Sequence, residues 1–233
     1  MIDVKQYQDT IGYTFQNIAL LEQAFVHRSY VNENPKMRHG HNERLEFLGD
    51  AVLELVATNY LYARYPNEDE GVLTSYRAAL VNAVLMGQIA RDIGMNEYLS
   101  LSKGESRDTG KARTIILADT FEAVIGAVYL DGGYEPAKDF IHKTILVHTD
   151  DVIRRGLFKD PKSTVQEKAQ EILAVTPAYK VLSEMGPDHD KRFSVGIYFN
   201  ETLIAEGKGK SKREGETDAA QKALVKKGWN GNN

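Results

Sequence analysis

The sequence lacks cysteine altogether and contains only one tryptophan and six prolines among its 233 residues. Without cysteine there can be no disulfide and no thiolate metal site, so any metal ion must be held by oxygen or imidazole ligands. No apolar run reaches the roughly 18 residues of a membrane-spanning helix, and the N-terminal residues do not have the layout of a secretory signal. These absences favour a cytoplasmic protein without a membrane partner.

The chain also lacks the excess of basic residues that would point to a nucleic-acid partner, because its net charge is −4. The charge is divided unevenly, however. Residues 160–233 contain 12 basic and 11 acidic side chains, whereas residues 1–159 contain 17 basic and 22 acidic ones. The average therefore hides an acidic first part and a locally basic second part, and net charge alone does not decide the class of partner.

Residues 1–155 have apolar side chains at three- and four-residue spacing, which predicts an all-α first domain. Breaks between helices are predicted where turn formers or charges accumulate, at 32–41, 66–71, 101–111 and 131–136. The pattern then changes, and residues 156–159 are interpreted as a short linker.

The helical and strand-like patterns of residues 160–228 predict a separate α+β domain with the order α-β-β-β-α. Its predicted elements are a helix over 163–174, strands over 179–184, 192–199 and 202–208, and a final helix over 213–227. Asn200 and Glu201 form a plausible two-residue hairpin turn, since Asn tolerates a positive φ.

A stripe of acidic residues follows one face of the predicted helix HNERLEFLGDAVLEL (residues 41–55). On a helical wheel the acidic side chains fall within an arc of about 80°, and they are Glu43, Glu46, Asp50 and Glu54. Apolar side chains occupy the opposite side, namely Leu45, Leu48, Val52, Leu55 and Val56. Like charges at this spacing repel by roughly a few tenths of a kcal/mol per pair, and a bound divalent cation would reverse that effect.

A second acidic pair, Asp119 and Glu122, shares one face of the predicted helix ILADTFEAVIGAVYL (residues 116–130). Gly126 lies one turn further along that face, where a missing side chain allows a neighbouring element to approach. If the two helices face each other, Glu46 and Asp50 converge with this pair on a site that suits Mg²⁺ or Mn²⁺. The alternative is that each stripe is only a solvated helix face.

Several segments resemble the ribonuclease III family. HNERLEFLGDAVLEL closely resembles the family signature NERLEFLGDA, and ADTFEA resembles its second catalytic segment. AFVHRSY resembles the early AFTHRS segment, and DEGVLTSYRAALV resembles the EG…L…RA…LV stretch. The resemblance runs from about residue 5 to 228. It implies a homodimeric, Mg²⁺-dependent endonuclease that cuts double-stranded RNA, leaves 5′-phosphate and 3′-hydroxyl ends with short 3′ overhangs, and processes ribosomal RNA precursors and structured messenger RNA.

The resemblance also implies roles for individual residues. Metal ligation is implied for Glu46, Asp50, Asp119 and Glu122, of which Asp50 and Glu122 are also expected to be catalytic. Auxiliary acidic roles near the cut are implied for Glu43 and Glu70, whereas Glu54 matches no catalytic position and is expected to be solvated. For His27, Arg28 and Ser29 a structural and a functional role both remain open.

Phe47 projects about 40° from Glu43 on the wheel, beside the acidic stripe. An exposed aromatic side chain there would be unusual in a monomer. Because the family places this helix at a two-fold dimer interface, Phe47 is a candidate to insert into a partner subunit. The alternative is burial under a local loop.

The second domain resembles a double-stranded RNA-binding domain on three surfaces. DPKSTVQEKAQE resembles the first helix, where Ser163, Gln166 and Glu167 would meet a minor groove, and His189 lies in the loop that would reach the next one. GKGKSKREGE is expected to bind phosphate at the start of the last helix through Lys208, Lys210, Ser211, Lys212 and Arg213. The alternative for this segment is a solvated, lysine-rich loop.

Four positions depart from the family pattern. Where members read KKEAEQ this chain has KREGET, with Arg213, Gly215 and Thr217, and Ile115 stands where many have Ser. Gly215 costs up to about 1 kcal/mol relative to Ala in a helix. The leading rival hypothesis is a non-catalytic double-stranded RNA-binding or ribosome-associated protein on the same fold. A third is a metal-dependent phosphohydrolase acting on a small substrate.

Overall fold

The computed structural model describes residues 4–36, 40–107, 109–158, 160–187 and 191–229. The chain divides into two compact units, Met1–Phe158 and Lys159–Asn233. Over the described ranges, none of the helices combines the length and the apolar character that crossing a membrane requires.

The first unit is built from helices, as the spacing of its apolar residues predicts. Its α-helices are α1 (Tyr7–Ile11), α2 (Ile18–Ala24), α3 (Arg28–Glu33), α4 (Glu43–Arg64), α5 (Glu70–Leu80), α6 (Ala83–Asp92), α7 (Lys111–Gly132), α8 (Tyr134–Thr144) and α9 (Thr149–Arg154). Short 3₁₀ turns occur at Met95–Tyr98, Glu105–Arg107 and Leu146–His148. A β-bridge joins Val26 to Ser100.

The two longest helices, α4 and α7, contain 22 residues each and pack against one another. α7 is buried on most of its circumference, as expected for a helix that is apolar nearly all round and lies at the centre of a unit. Leu117, Phe121 and Val124 are completely buried there. The pair α4–α7 is therefore the central support of the first unit.

The predicted break at 131–136 is shorter in the structure. α7 continues to Gly132, and α8 begins at Tyr134 after Gly133 with φ 84°. Pro136 lies in the first turn of α8, where a missing backbone N–H costs nothing because that N–H has no partner within the helix.

One prediction for α4 is wrong. Leu55, expected on the buried face, is 52% exposed, because it lies on the side of α4 that turns away from α7. Glu54, expected to be solvated, is 37% exposed and forms an ion pair with Arg77 of α5 at 2.7 Å. In contrast, Phe47 is 82% exposed, so the alternative of burial under a local loop is wrong.

The first unit extends beyond residue 155. Phe158, interpreted from the sequence as part of the linker, packs edge-to-face against Tyr76 with ring centroids 4.7 Å apart. This aromatic contact holds Phe158 against the first unit, so that residue is not part of a free linker.

The second unit has the predicted α-β-β-β-α order. Its elements are α10 (Pro161–Leu173), β1 (Pro177–Met185), β2 (Arg192–Phe199), β3 (Thr202–Gly209) and α11 (Lys212–Lys227). The strands form an antiparallel sheet in the order β1-β2-β3. The predicted hairpin turn is confirmed, since Phe199 pairs with Thr202 and Asn200 has φ 54°. Both helices pack on one face of the sheet around Val165, Ile197 and Ala220.

Candidate active site

α4 and α7 approach each other at two glycines. A Cβ atom added to Gly49 would overlap the backbone oxygen of Glu122, and one added to Gly126 would overlap the backbone oxygen of Leu45. The helix backbones are therefore in direct contact at this crossing, which only residues without a side chain allow. The sequence indicated Gly126 but not Gly49, although Gly49 stands between Glu46 and Asp50 in the signature segment.

The crossing brings together four acidic side chains, called here the carboxylate cluster: Glu46 and Asp50 of α4, and Asp119 and Glu122 of α7. Burial raises the pKa of Glu46 to about 6, with further contributions from the charges of Asp119, Glu43 and Asp50. Burial likewise raises the pKa of Glu122 to about 8, and the charges of Asp50, Asp119 and Glu46 add to it. This mutual effect shows that the two helices direct their carboxylates to a common region.

Asp119 differs from its neighbours in having a nearby imidazole. Burial raises the pKa of Asp119, and His27 opposes that rise. His27 is held in place by its backbone N–H, which donates to Ser100 at 3.1 Å, and by a 2.8 Å contact between its Nδ1 and Ser29 Oγ. Ser29 Oγ also accepts the N–H of Ser102 at 3.0 Å. Ser29 therefore orders the local backbone, while His27 lies beside the carboxylate cluster.

The two auxiliary acidic residues occupy different surroundings. Glu43 lies 3.6 Å from Arg28 Nη1, which partly compensates its charge, and also 3.6 Å from His41 Nδ1. Glu70 begins α5 and lines a separate cavity of about 460 Å³ together with Tyr62 and Arg77. None of the carboxylate cluster lines that cavity. Within one copy of the chain, the structure does not bring Glu70 to the cluster.

The carboxylate cluster suits a divalent cation in its donor chemistry. In the described part of the chain, no three His, Asp or Glu side chains lie close enough together to form a preassembled metal site. Carboxylate oxygens are nevertheless the ligands that Mg²⁺ and Mn²⁺ prefer. The repulsion that helps to raise the pKa values of Glu46 and Glu122 is of the kind that a bound cation relieves.

Two buried polar side chains that the sequence reasoning missed fix the starts of the central helices. Asn42, immediately before α4, donates its Nδ2 to the backbone oxygen of Ala24 at 3.2 Å. Arg113, in the first turn of α7, donates to Asn96 Oδ1 at 3.0 Å and to the backbone oxygen of Glu105 at 2.8 Å. Asn42 begins the family signature NERLEFLGDA, and Arg113 lies a few residues before the ADTFEA segment. These positions were the only sequence signal that the two residues matter.

Ile115 is the position of α7 that departs from the family pattern. Ile115 lies one helical turn before Asp119 and is 45% exposed. Its side chain is therefore not enclosed by the rest of the unit.

In the second unit, the start of α10 is capped by Asp160, whose Oδ2 accepts both the N–H and the hydroxyl of Ser163 at 2.9 Å. Gln166 and Glu167 are exposed on the same helix. The predicted minor-groove residues thus lie on the accessible side of α10. His189 lies outside the described residues.

The basic segment, residues 208–213, leads into α11. Ser211 caps the helix by accepting the N–H of Glu214 at 3.1 Å, and Glu214 Oε2 accepts the N–H of Lys210 at 2.8 Å. Lys212 and Arg213 are exposed at the helix start, where the positive end of the helix dipole favours an anion. The structure thus gathers the cations of this segment at one end of one helix.

Gly215, a departure from the family pattern, has a packing role in this structure. A Cβ added there would lie 2.7 Å from Val195 Cγ2 of β2. Its absence lets α11 lie close to the sheet. Thr217, the neighbouring departure, donates its hydroxyl to the backbone oxygen of Arg213 at 3.0 Å.

Comparison with known proteins agrees with both units. A family model described as Ribonuclease-III-like matches residues 17–149, and one for the double-stranded RNA binding motif matches residues 161–226. Ribonuclease 3 of Borreliella burgdorferi is 42% identical over 221 residues, covering 95% of this chain and 90% of its own length. Ribonuclease 3 of Bacillus licheniformis is 44% identical over 225 residues, covering 95% and 89%.

Among solved structures, the nuclease domain of ribonuclease III from Campylobacter jejuni aligns with a TM-score of 0.55 and 36% identity. The alignment covers 61% of this chain and 98% of that one, whose description mentions flexibility in a region involved in dimer formation. The sequence identity over nearly the whole chain, the two matched domains and the carboxylate cluster lead to one conclusion. The chain belongs to the ribonuclease III family of endoribonucleases.

Proposed function

We propose that this protein hydrolyses phosphodiester bonds of double-stranded RNA with Mg²⁺, for which Mn²⁺ can substitute. The observation that carries the proposal is the convergence of the carboxylate cluster where α4 crosses α7, since burial and mutual repulsion raise the pKa values of Glu46 and Glu122. A cluster of like charges that is costly by itself is the expected property of a site that binds a cation.

Glu46, Asp50, Asp119 and Glu122 are the residues that would hold the cation. When bound, a divalent cation neutralises charge on the phosphate and lowers the pKa of a water molecule. Asp50 is the exposed member of the cluster, whereas the other three are half-buried and held by helix packing. Attack of water on phosphorus with departure of the 3′-oxygen leaves a 5′-phosphate and a 3′-hydroxyl.

A two-fold dimer through α4 is the second part of the proposal. The side of α4 that faces away from α7 carries an exposed apolar stripe of Phe47, Leu55 and Tyr62, which are 82%, 52% and 75% exposed. Exposed apolar stripes of this kind favour association. If two copies of α4 pair antiparallel with the axis near Leu55, Phe47 of one copy lies opposite Tyr62 of the other.

The cavity next to Tyr62 supports this arrangement. It measures about 460 Å³ and includes Leu73 and Glu70 of α5 in its lining. An inserted Phe47 would therefore bring Glu70 of the second copy close to Phe47, which is adjacent to Glu46 and three residues before Asp50. This accounts for an auxiliary acidic role of Glu70 that a single copy does not, and the two sites of the dimer would cut the two strands with a short 3′ overhang.

Replacing Phe47 with Ala tests the dimer. Because the exposed ring would be buried in the second copy, the substitution should shift the dimer equilibrium at least tenfold toward monomer in sedimentation velocity, about the effect of losing an aromatic anchor. Val84, which is 73% exposed on α6, offers a control, and Val84→Ala should leave the equilibrium unchanged. A Phe47→Ala equilibrium identical to that of the wild type would contradict the insertion.

We assign recognition of the RNA duplex to the second unit, through α10 and the basic segment. A-form RNA hides its base edges in a deep groove, so contacts to 2′-hydroxyls and phosphates read shape more than sequence. Attachment of this unit to the nuclease unit raises the local concentration of RNA at the carboxylate cluster. In the cell, ribosomal RNA precursors and structured messenger RNA in the cytoplasm are the proposed substrates.

The rival hypothesis is a non-catalytic double-stranded RNA-binding or ribosome-associated protein. The half-buried carboxylate cluster argues against it, because uncompensated like charges destabilise a protein that does not use them. Incubating the full chain with a long RNA duplex, with and without Mg²⁺, distinguishes the two. We expect short duplex products with 5′-phosphates only when Mg²⁺ is present, and duplex binding without any Mg²⁺-dependent cleavage would establish the rival.

A further inference from the structure

One ion pair links the two helices that carry the proposed RNA contacts. Lys162 Nζ, in the first turn of α10, lies 2.6 Å from Glu216 Oε2 of α11, and the two side chains are 35% and 28% exposed. The other ion pairs of the described second unit connect residues within one helix, or, for Lys191 and Glu184, the two sides of the β1–β2 hairpin. The Lys162–Glu216 pair therefore joins α10 to α11.

The pair is also anchored on the sheet. Lys162 Nζ lies 5.0 Å from the centre of the Tyr179 ring in β1, within the range of a cation–π contact. The Tyr179 hydroxyl is buried and has no hydrogen-bond partner among the described residues. Lys162 is thus held from two sides, by a carboxylate of α11 and by an aromatic ring of β1, which restricts where its ammonium group can lie.

The positions of the two residues relate them to the RNA contacts. Lys162 is adjacent to Ser163 and four residues before Gln166, while Glu216 is four residues after Lys212. Residues four apart share a face of an α-helix, about one turn apart. The ion pair consequently lies one turn from a proposed minor-groove contact on one helix and one turn from a proposed phosphate contact on the other.

We propose that Lys162 and Glu216 are positioning residues for duplex recognition, which hold α10 and the start of α11 at the separation that one RNA duplex requires. The inference rests on the proposed binding of double-stranded RNA. A duplex presents its minor groove and the neighbouring phosphates at a fixed spacing, and a domain of this kind spans about 16 base pairs. A preformed spacing avoids the cost of ordering the two helices when RNA binds.

The test measures binding of the full chain to RNA duplexes of about 16 and about 8 base pairs without divalent cations. Only the longer one presents two successive minor grooves and the intervening phosphates, which a domain of this kind contacts together. The substitutions are Lys162→Met, which keeps the length of the side chain, and Glu216→Gln. Each should weaken binding to the long duplex about five- to tenfold, in the range of a lost coupled pair, and leave the short duplex unaffected. The dependence of the long-duplex affinity on salt should keep its slope, because the basic segment is intact.

Lys168→Met is the matched control. Lys168 lies on the same helix and carries the same charge, but it pairs with Glu171 within α10. Its removal should change the affinities for the two duplexes by the same factor. Combining Lys162→Glu with Glu216→Lys should restore most of the long-duplex affinity lost in the single variants, and it keeps the inference testable if one single variant does not fold.

Unchanged long-duplex binding in Lys162→Met and Glu216→Gln would overturn the inference. So would an equal loss on both duplexes in protein that circular dichroism shows to be folded, because that result indicates a direct contact or a general loss of structure. A wild-type chain that binds neither duplex would instead overturn the proposed function itself.

Discussion

The carboxylate cluster and the basic segment gather like charges in opposite ways. The cluster takes Glu46 and Asp50 from one helix and Asp119 and Glu122 from another, and helix packing half-buries three of the four. The basic segment consists of consecutive residues, 208–213, and its side chains are exposed. The function of charges that packing brings together depends on that packing. The function of charges that are adjacent in sequence depends mainly on how many there are.

Gly49→Ala should have the largest effect, because it acts on the packing that the cluster needs. The added Cβ would overlap the backbone oxygen of Glu122, so α4 and α7 must move apart. Overpacking costs about 1–3 kcal/mol, and more where backbone is displaced, so we expect the free energy of unfolding to fall by at least about 3 kcal/mol. Thermal and urea unfolding followed by circular dichroism measure the change, and cleavage of duplex RNA should be lost as well.

Gly104→Ala is the matched control for this prediction, since the nearest atom to its added Cβ is Ser102 Oγ at 3.8 Å. It should unfold like the wild type. A Gly49→Ala variant with normal stability and cleavage would show that direct backbone contact is not required at the crossing.

Glu122→Gln should separate catalysis from binding. The amide keeps the shape of the side chain but removes a charged oxygen ligand. Loss of a residue that only supports a metal ligand costs up to roughly a hundredfold, so loss of a ligand should lower Mg²⁺-dependent cleavage by more than that. Affinity for duplex RNA, measured by filter binding, should remain within about twofold. Glu54→Gln alters a nearby carboxylate that pairs with Arg77, and it should retain cleavage. Full activity of Glu122→Gln would refute its assignment to the metal site.

Lys212→Ala combined with Arg213→Ala tests the basic segment. Removing two phosphate contacts should weaken binding evenly across RNA sequences and reduce the slope of log affinity against log salt by about 2. Protein stability should hardly change, because both side chains are exposed. Lys226→Ala with Lys227→Ala removes the same charge from the other end of α11 and should leave the slope nearly unaffected. An unaltered slope in the first variant would exclude this segment from phosphate binding.

The smallest expected effect concerns Asp131, which ties the loop before α2 to the end of α7. Burial alone would raise the pKa of Asp131, but hydrogen bonds from the backbone N–H groups of Gln16 and Asn17 and from the Tyr13 hydroxyl hold it below its usual range. Asp131 therefore stabilises the fold above its unfolded pKa of about 3.9, and this stability is lost as pH falls through the folded pKa. Asp131→Asn should lower the melting temperature at about pH 7, and its effect should shrink as the pH falls through the folded pKa.

Asp218 is the counterpart in the second unit. Burial would raise the pKa of Asp218, yet Lys222 and the backbone N–H of Lys208 keep it lowered. Asp218→Asn should thus show the same pH dependence, but affect duplex binding as well, since Lys208 belongs to the basic segment. If both variants melt like the wild type at neutral pH, neither carboxylate contributes measurably to stability.

Local sequence predicted much of the fold correctly. The order of elements in the second unit follows from hydrophobic period and turn chemistry, and Asn200 adopts the positive φ that its position in a two-residue turn predicts. Errors arose where one helix face had to be assigned from periodicity alone. Leu55 is apolar, yet it is exposed because the neighbours of α4 cover only part of its circumference.

The candidate site, like the fold, could be predicted only in part. The spacing of Glu46 and Asp50, and of Asp119 and Glu122, placed each pair on one helix face, and the family resemblance joined the two pairs. The pairing of Glu43 with Arg28 and that of Glu54 with Arg77 were not predictable, because each partner lies on another helix. Their relation depends on how the helices cross.

Residues close together in the chain specify the type of each helix and strand, the boundary between an acidic and a locally basic region, and which side chains can carry the chemistry. These properties could therefore be predicted without the structure. Tertiary packing, in contrast, brings two backbones into contact at Gly49 and Gly126, half-buries three carboxylates as a result, and places Lys162 of α10 beside Glu216 of α11. Such contacts join residues distant in sequence, and their geometry is set by packing rather than by local pattern.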